Sequence, residues 1–260
     1  MTERKVFIST FRGPFRRRMA KWFGRRMYDV CPEFPLVSFT FDDFPRSAVA
    51  CAGAILREQG FAGTYYVSIG LMGLSTPTGQ MFEVEDLLQI SRQGHELGCH
   101  TFDHCDSWDT SPAEFEASIV RNQEALAHIC PVSMFGSLSY PINCPRPQTK
   151  RRVAKYFGCA RGGGQTFNSG PTDLNYLNAF FLEQCREDLK AIKQVIDANH
   201  RQKGWLIFAT HDVCGAPTRF GCTPGFFEQV VRYARQSGTT VLPVQQAWRR
   251  IQSRSPSQPA

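Results

Sequence analysis

Two adjacent carboxylates, Asp42 and Asp43, directly follow an apolar stretch from Pro35 to Phe41 that is typical of a buried β-strand. Two like charges at the end of a buried strand repel each other and lose hydration, so they stay ionised only beside a cation. On its own, an Asp-Asp pair is more typical of a turn in which both side chains are solvated. Histidines elsewhere in the chain favour a metal site instead.

His100 and His104 are four residues apart and follow a predicted short strand. If a helical turn starts after that strand, the spacing places both imidazoles on one face, within reach of one metal ion. With Asp43 as the third ligand, the set has two histidines, one carboxylate and open coordination positions. This set suits catalytic Zn²⁺, with Fe²⁺ or Co²⁺ as alternatives. Cys99 and Cys105 flank the histidines, and we assign them packing roles because neighbours in a strand point to opposite faces.

The same segments offer a general base and a general acid. A metal ion lowers the pKa of water towards about 7, and Asp42, beside the predicted ligand Asp43, can accept the proton. His211 follows another apolar strand and can protonate a leaving amine. For His211, a histidine that only packs at a strand end is the structural alternative.

Strand-like and helix-like segments alternate along the chain, as alternating apolar runs and 3.6-residue periodicity show. The predicted strands are 35–41, 63–68, 96–100, 134–140, 159–161, 204–210 and 239–242, and the predicted helices are 46–59, 84–93, 111–128, 148–156, 184–200, 226–236 and 244–251. Repeated strand-then-helix units predict an α/β fold with a parallel sheet, either a barrel or an open doubly wound sheet. In both architectures the chemistry gathers at the carboxyl ends of the strands, where the predicted catalytic residues lie.

The composition indicates a globular protein with one large domain, since the 260 residues are 42% hydrophobic and 20% charged. No apolar run approaches the length of a membrane span, and no N-terminal stretch has the apolar centre of a signal peptide, which predicts a cytoplasmic location. The ten cysteines include no CxxC pair, which favours reduced, packed thiols over disulfides or a redox centre.

The net charge of +7 lies in residues 1–30, which hold nine Lys or Arg and two Asp or Glu, while residues 31–260 are balanced. A nucleic-acid partner for the whole domain therefore has little support. We predict a basic amphipathic arm at 1–30, a catalytic domain at 31–251 and a polar tail at 252–260. The apolar stripe of the arm consists of Phe15, Met19, Trp22, Phe23 and Met27. Two interpretations stay open, namely packing of this stripe on the domain and peripheral contact with an anionic membrane at its inner face.

Several of these segments together resemble the motifs of the NodB-homology polysaccharide deacetylases, carbohydrate esterase family 4. The order and spacing agree over roughly residues 35–250. The resembling segments are Thr40-Phe41-Asp42-Asp43, His100-Thr101-Phe102-Asp103-His104 after Gly94-His95-Glu96, Ser139-Tyr140-Pro141-Ile142-Asn143, Gly158-Cys159-Ala160-Arg161 and Phe208-Ala209-Thr210-His211.

The resemblance implies a distorted (β/α)7 barrel and hydrolysis of an N-acetyl group on a sugar. It also implies that Asp42 is the base and His211 the acid, and that Asp43, His100 and His104 bind the metal ion. The expected function is metal-dependent deacetylation of an N-acetylhexosamine in a glycan or glycolipid precursor. The alternatives are a deformylase or amidase acting on a non-sugar amide, and a non-catalytic metal- or glycan-binding barrel. The partner is an N-acetylated saccharide, and the oligomeric state stays open.

The sequence departs from the family pattern at three places. The Gly expected after the Asp pair is Phe44, a large side chain predicted at the mouth of the site. The third-motif Arg, which contacts the catalytic Asp, aligns with Ser139, and Arg161 either replaces it in space or lies on the surface. The fourth motif, an Asp near a Trp, has no assigned position. We expect Phe44, Tyr140, Pro141 and Arg161 to contact the substrate, and a backbone N–H near Tyr140 to stabilise the oxyanion.

Overall fold

A curved parallel sheet is the centre of the structure, a computed structural model that describes residues 12–131 and 133–253. Residues 1–11 of the predicted arm and residues 254–260 of the predicted tail lie outside the described residues. In chain order the strands are β1 (Met27–Val30), β2 (Leu36–Phe41), β3 (Thr64–Val67), β4 (Ser75–Thr76), β5 (Gly79–Gln80), β6 (Glu96–Cys99), β7 (Leu138–Ser139), β8 (Ala160–Arg161), β9 (Gly170–Asp173), β10 (Phe180–Phe181), β11 (Trp205–Thr210) and β12 (Thr240–Val241).

Seven parallel strands pair in the order β10-β11-β2-β3-β6-β7-β8. Strand β2 pairs with β11 along one edge. Along the other edge, β12 pairs with the first two residues of β2, Leu36 and Val37, and β3 pairs with the last two. All six residues of β2 are buried, as the apolar run predicted. The predicted distorted (β/α)7 fold is confirmed.

Helices cover the outside of this sheet. They are α1 (Arg12–Trp22), α2 (Ala54–Glu58), α3 (Val84–Arg92), α4 (Pro112–Ile129), α5 (Pro147–Val153), α6 (Leu189–Arg201), α7 (Pro224–Gln236) and α8 (Val244–Gln252), with helical turns at Ala48–Gly53, Ile69–Leu71 and Leu182–Cys185. A capping box begins α4, since Ser111 and Glu114 exchange side-chain-to-backbone hydrogen bonds. Within the described residues, no helix is both long enough and apolar enough to cross a bilayer.

The buried hydroxyl groups of β2 all form hydrogen bonds, so burying this strand leaves no polar side-chain atom of it unpaired. Thr40 Oγ1 donates to the Phe208 carbonyl, and Ser38 Oγ donates to the Leu242 carbonyl while accepting from Trp205 Nε1. These bonds join β2 to β11 and to the end of β12. The strand that carries the two carboxylates is therefore fixed on both sides.

The N-terminal region differs from the predicted arm. Helix α1 ends at Trp22, and Met27, which the sequence placed on the same helical stripe, begins β1. Gly24 makes the turn between them with a φ of +63°, and a Cβ there would lie 2.7 Å from the Pro147 carbonyl oxygen. Strand β1 pairs antiparallel with β9, so the end of the arm belongs to the folded domain.

One buried lysine holds α1 in place. Lys150, on α5, is fully buried and its Nζ donates to the carbonyl oxygens of Ala20, at 2.6 Å, and Phe23, at 2.9 Å. The same Nζ lies 2.6 Å from Asp173 Oδ2, on β9. Asp173 Oδ1 accepts from the backbone N–H of Arg26. This ion pair therefore caps the end of α1 and joins it to both neighbouring elements.

Replacing this lysine tests the attachment. Lys150→Met should lower the free energy of unfolding by about 3–5 kcal/mol, because it leaves the Asp173 carboxylate buried without its cation. Lys155→Met removes an exposed lysine from the same region and serves as the control. Denaturant titration monitored by circular dichroism measures both. Equal stability of the two variants would contradict the role of Lys150.

Candidate active site

Three of the predicted residues converge on one point. The ligand atoms of Asp43, His100 and His104 all lie within 4.8 Å of one another. Asp43 Oδ1 is 3.1 Å from His104 Nε2 and 3.4 Å from His100 Nε2. This oxygen is buried and has no partner in hydrogen-bonding geometry, which is the state of an atom aimed at a cation. Two imidazole nitrogens and one carboxylate oxygen fit a divalent metal ion.

A loop, rather than the predicted helical turn, brings the two histidines together. His100 directly follows β6, and the backbone turns through left-handed conformations at Thr101 and His104, with φ of 60° and 51°. Thr101 Oγ1 accepts from the Cys105 N–H and holds this loop. Asp43 itself has a φ of 58°. Left-handed non-glycine residues cost free energy and are retained where they orient functional groups.

Further polar groups orient the three candidate ligands. His100 Nδ1 lies 2.8 Å from the Ser139 carbonyl oxygen, to which it donates as Nδ1–H, so Nε2 keeps its lone pair for a cation. Thr78 Oγ1 donates to Asp43 Oδ2 at 3.1 Å and leaves Oδ1 for the same purpose. Sequence reasoning did not find Thr78, because a threonine in a turn carries no signal of its contact.

The charges of this cluster support one another. Burial alone lowers the pKa of His104, but the close contact with the negative charge of Asp43 outweighs burial and raises that pKa. Burial raises the pKa of Asp43, yet the two imidazoles hold it well below its ordinary value. Asp43 is therefore ionised and makes His104 more basic. Since an imidazole binds a cation only when neutral, metal affinity falls as the pH drops.

The second carboxylate has a different partner. Asp42 is buried, and Arg161 donates from a guanidinium nitrogen to Asp42 Oδ1. Burial raises the pKa of Asp42, but Arg161, then His100 and His211, outweigh it and hold the pKa below its ordinary value. Arg161 is fully buried, with its guanidinium 4.8 Å from the Tyr66 ring centroid, so the surface alternative for this residue is wrong.

His211 follows β11 and is partly exposed, next to the Asp42 end of β2. Its Nδ1 lies 3.1 Å from the Phe220 carbonyl oxygen, and a proton on Nδ1 leaves Nε2 free to exchange one with substrate. The adjacent Asp212 does not orient this ring. Its carboxylate accepts from the Thr218 N–H and hydroxyl, at 2.7 and 2.6 Å, and closes the following loop.

The four predicted substrate contacts are buried instead of facing a substrate. Phe44 is inaccessible and stacks on Phe82, with ring centroids 4.9 Å apart, so it is not at the mouth of the site. Tyr140, Pro141 and Arg161 are buried as well. The Tyr140 N–H donates to the Arg161 carbonyl oxygen at 3.0 Å and is unavailable to an oxyanion. These residues are buried because they pack against, or hydrogen-bond to, neighbouring strands and loops of the domain.

Glu183 is a further carboxyl group beside this cluster. It directly follows β10 and Leu182, and its Oε2 is buried without a hydrogen-bond partner. Burial, assisted by the negative charges of Asp42 and Asp212 and opposed by Arg161, raises its pKa to about 8. The signal that could have found it is the one that found Asp42, an acid after a run of buried apolar residues. That run, Phe180–Phe181, is too short to show periodicity.

The chain matches a described protein family and curated relatives. Residues 29–161, just over half of the chain, match the sequence model of the polysaccharide deacetylases. A chitooligosaccharide deacetylase from Azorhizobium caulinodans is 36% identical over 99 residues. That segment spans 36% of this chain and 41% of the length of that relative. The family match covers the predicted ligands and Asp42, and it ends at Arg161, before His211.

Solved structures share the fold. The chitin deacetylase from Colletotrichum lindemuthianum aligns with a TM-score of 0.62 and 15% identity, over 86% of this chain and 92% of that chain. A family 4 carbohydrate esterase from Streptomyces lividans, in complex with acetate, aligns with a TM-score of 0.56 and 16% identity, over 82% of this chain and 92% of that chain. At these identities the likeness concerns the fold alone.

Removing one candidate ligand tests the metal site. His104→Ala should weaken zinc binding by about 100-fold or more while the fold survives, since loss of a ligand costs at least as much as loss of the groups that orient one. His128→Ala, at an exposed position on α4, is the control. Plasma mass spectrometry after dialysis measures the metal content, and full occupancy in His104→Ala would show that the ligand set is wrong.

Proposed function

The chain belongs to the polysaccharide deacetylase family, and we propose that it removes the acetyl group from an N-acetylated sugar of a glycan or glycolipid precursor. The convergence of Asp43, His100 and His104 beside Asp42 carries this proposal. The name of the curated relative, a chitooligosaccharide deacetylase, supports the substrate class.

We assign the binding of one divalent ion to Asp43, His100 and His104. This ion would polarise the amide carbonyl and lower the pKa of water beside it. Zinc is the proposed metal because the set combines imidazoles with a carboxylate, and Co²⁺ or Fe²⁺ are the alternatives. The hydrogen bonds from His100 to Ser139 and from Thr78 to Asp43 keep the ligands oriented.

Asp42 and His211 divide the proton transfers. Asp42 accepts the proton of the attacking water, whose oxygen bonds to the amide carbon. Arg161 keeps the Asp42 carboxylate ionised and in one orientation through their buried contact. His211 donates a proton to the sugar nitrogen as the carbon–nitrogen bond breaks. The products are acetate and the free amino sugar, so the reaction consumes one water molecule and needs no other reactant.

Substituting the base and the acid tests these roles. Asp42→Asn and His211→Ala should each retain the metal ion and lower kcat by about 10²–10⁴-fold, the usual worth of general acid–base catalysis. Acetate release from a panel of N-acetylglucosamine oligosaccharides measures turnover. His200→Ala, at an exposed position on α6, is the control. A variant that turns over at the wild-type rate would remove its residue from the mechanism.

We also propose that α1 contacts an anionic membrane surface. The apolar side chains of Trp22 and Phe23 are 59% and 51% exposed, and Phe15 is 56% exposed although its ring contacts Trp108. Exposed basic residues Arg18 and Lys21 lie on the same helix. Exposed aromatic rings beside basic side chains suit the headgroup region of an anionic leaflet. The cytoplasmic location, which would select the inner leaflet, stays a prediction from the sequence.

Vesicle co-sedimentation tests the membrane contact. The full chain should bind vesicles that contain phosphatidylserine and not neutral vesicles, and salt should weaken binding because each basic residue contributes about 1 kcal/mol electrostatically. Trp22→Ser with Phe23→Ser should abolish sedimentation, whereas Met134→Ser, another exposed apolar position outside α1, should not. Sedimentation that is equal for both vesicle types, or equal for both variants, would refute the contact.

A further inference from the structure

A cavity of about 1000 Å³ lies between α1 and the loop that follows β8. Arg17, Lys21 and Arg25 form one wall. The glycine loop at Gly163 and Gly164 forms part of the opposite wall. The volume is that of a ligand larger than one acetylated sugar ring, and it lies within the usual range of ligand cavities.

The cavity adjoins the candidate active site. Phe181 lines it, and the Arg161 guanidinium that contacts Asp42 lies 5.8 Å from the Phe181 ring centroid. Gly163 lines it two residues after Arg161, and Gln184 lines it directly after Glu183. Arg161 and Phe181 therefore connect the Asp42 end of the candidate active site to this cavity.

The cavity wall formed by α1 and the turn that follows it is positively charged. Arg17, Lys21 and Arg25 follow at four-residue intervals and are exposed, and none forms an ion pair among the described residues. Arg16, by contrast, faces the protein and pairs with Asp106 at 2.9 Å.

The acid in the lining does not offset this charge. Asp173 is the only Asp or Glu among the described lining residues, and it is buried against Lys150 at 2.6 Å. No carboxylate of the described lining therefore neutralises Arg17, Lys21 or Arg25. Positive charge of this kind attracts anionic ligands into a cavity.

Two guanidinium groups and one ammonium group suit phosphate more than a neutral sugar. Arginine binds phosphate oxygens through paired donors, and lysine adds a compact charge. Positions four apart on a helix are about 5–6 Å apart at Cβ, so Arg17 and Lys21 can meet neighbouring negative charges at once. Much of the remaining lining consists of amide and hydroxyl side chains, of which Gln165 donates to the Phe181 carbonyl and Ser169 to Gln202.

We propose that this cavity binds phosphate groups of the substrate, so that the sugar deacetylated at Asp42 is attached to a phosphate or diphosphate. This inference rests on the proposed function, because it assigns a substrate class to that same site. Soluble nucleotide sugars and lipid-linked sugars share this chemistry. Arg17, Lys21 and Arg25 are specificity-determining residues for the phosphates and take no part in the hydrolytic step.

Calorimetric titration of the Asp42→Asn variant measures binding without turnover. The probes are N-acetylglucosamine, its 1-phosphate, uridine-diphosphate N-acetylglucosamine and a short-chain prenyl-diphosphate N-acetylglucosamine. The phosphorylated probes should bind at least about tenfold more tightly than the neutral sugar, equivalent to about 1.4 kcal/mol. Raising the salt concentration should reduce this difference. Tighter binding of the prenyl probe than of the nucleotide probe would identify a lipid-linked source, and the reverse would identify a soluble one.

Charge removal at the cavity wall provides the second measurement. Arg17→Gln with Lys21→Gln, added to Asp42→Asn, should weaken binding of the phosphorylated probes about tenfold and leave the neutral sugar unaffected. Arg201→Gln with Lys190→Gln removes the same two charges from exposed positions on α6 and is the matched control. In otherwise wild-type protein, Arg17→Gln with Lys21→Gln should raise the KM for the phosphorylated probes and leave their kcat unchanged.

Two results would overturn the inference. One is equal affinity for neutral and phosphorylated probes, and the other is equal affinity of the wall and control variants for the phosphorylated probes. Failure of the proposed function would differ, because phosphate-dependent binding would persist while no probe released acetate.

Discussion

The site depends on keeping two neighbouring carboxylates ionised inside the protein. Asp42 and Asp43 are 3% and 7% exposed, and their like charges would raise each other's pKa if they shared one environment. The backbone separates them, since the left-handed conformation at Asp43 sends consecutive side chains to different partners. Asp42 meets a guanidinium, and Asp43 meets two imidazoles in a set that fits a cation. Each carboxylate thus has its own main partner, and the proposed base and the proposed ligand are adjacent.

The curved sheet keeps both carboxylates ionised because the residues that stabilise them lie at the carboxyl ends of its strands, on one rim. Arg161 comes from β8, at 119 positions along the chain from Asp42, and His211 comes from β11, the direct neighbour of β2. Even the hydrogen bond to His100 comes from a strand, through the Ser139 carbonyl of β7. A parallel sheet presents all of its carboxyl ends on one side, so residues far apart in sequence meet without long connecting loops.

Sequence reasoning predicted the apolar strand β2, the short strand β6 and the candidate ligands that follow them, since both strands carry their signal in consecutive residues. The two-residue strand β10 gave no such signal, because its pairing with β11 is set by contacts distant in sequence. The burial of Phe44 was missed for a related reason, because its size predicts a site wall whereas tertiary packing on Phe82 decides its place. For Arg161 the sequence left two alternatives open, and packing around Tyr66 and Asp42 decides for the buried one. Left-handed φ values at non-glycine residues likewise follow from surrounding contacts.

The Lys150 ion pair links the position of α1 to the character of the cavity beside it. Lys150 holds the end of α1 through the Ala20 and Phe23 carbonyls, and the same ammonium group neutralises Asp173, the acid in the cavity lining. The same lysine therefore both attaches α1 to the domain and leaves the cavity wall with a net positive charge. By thermodynamic linkage, a ligand that binds only when α1 is docked also stabilises docking, by about 2.7 kcal/mol at 100 times its Kd. Binding of the proposed phosphate ligand would therefore strengthen the attachment of α1 to the domain.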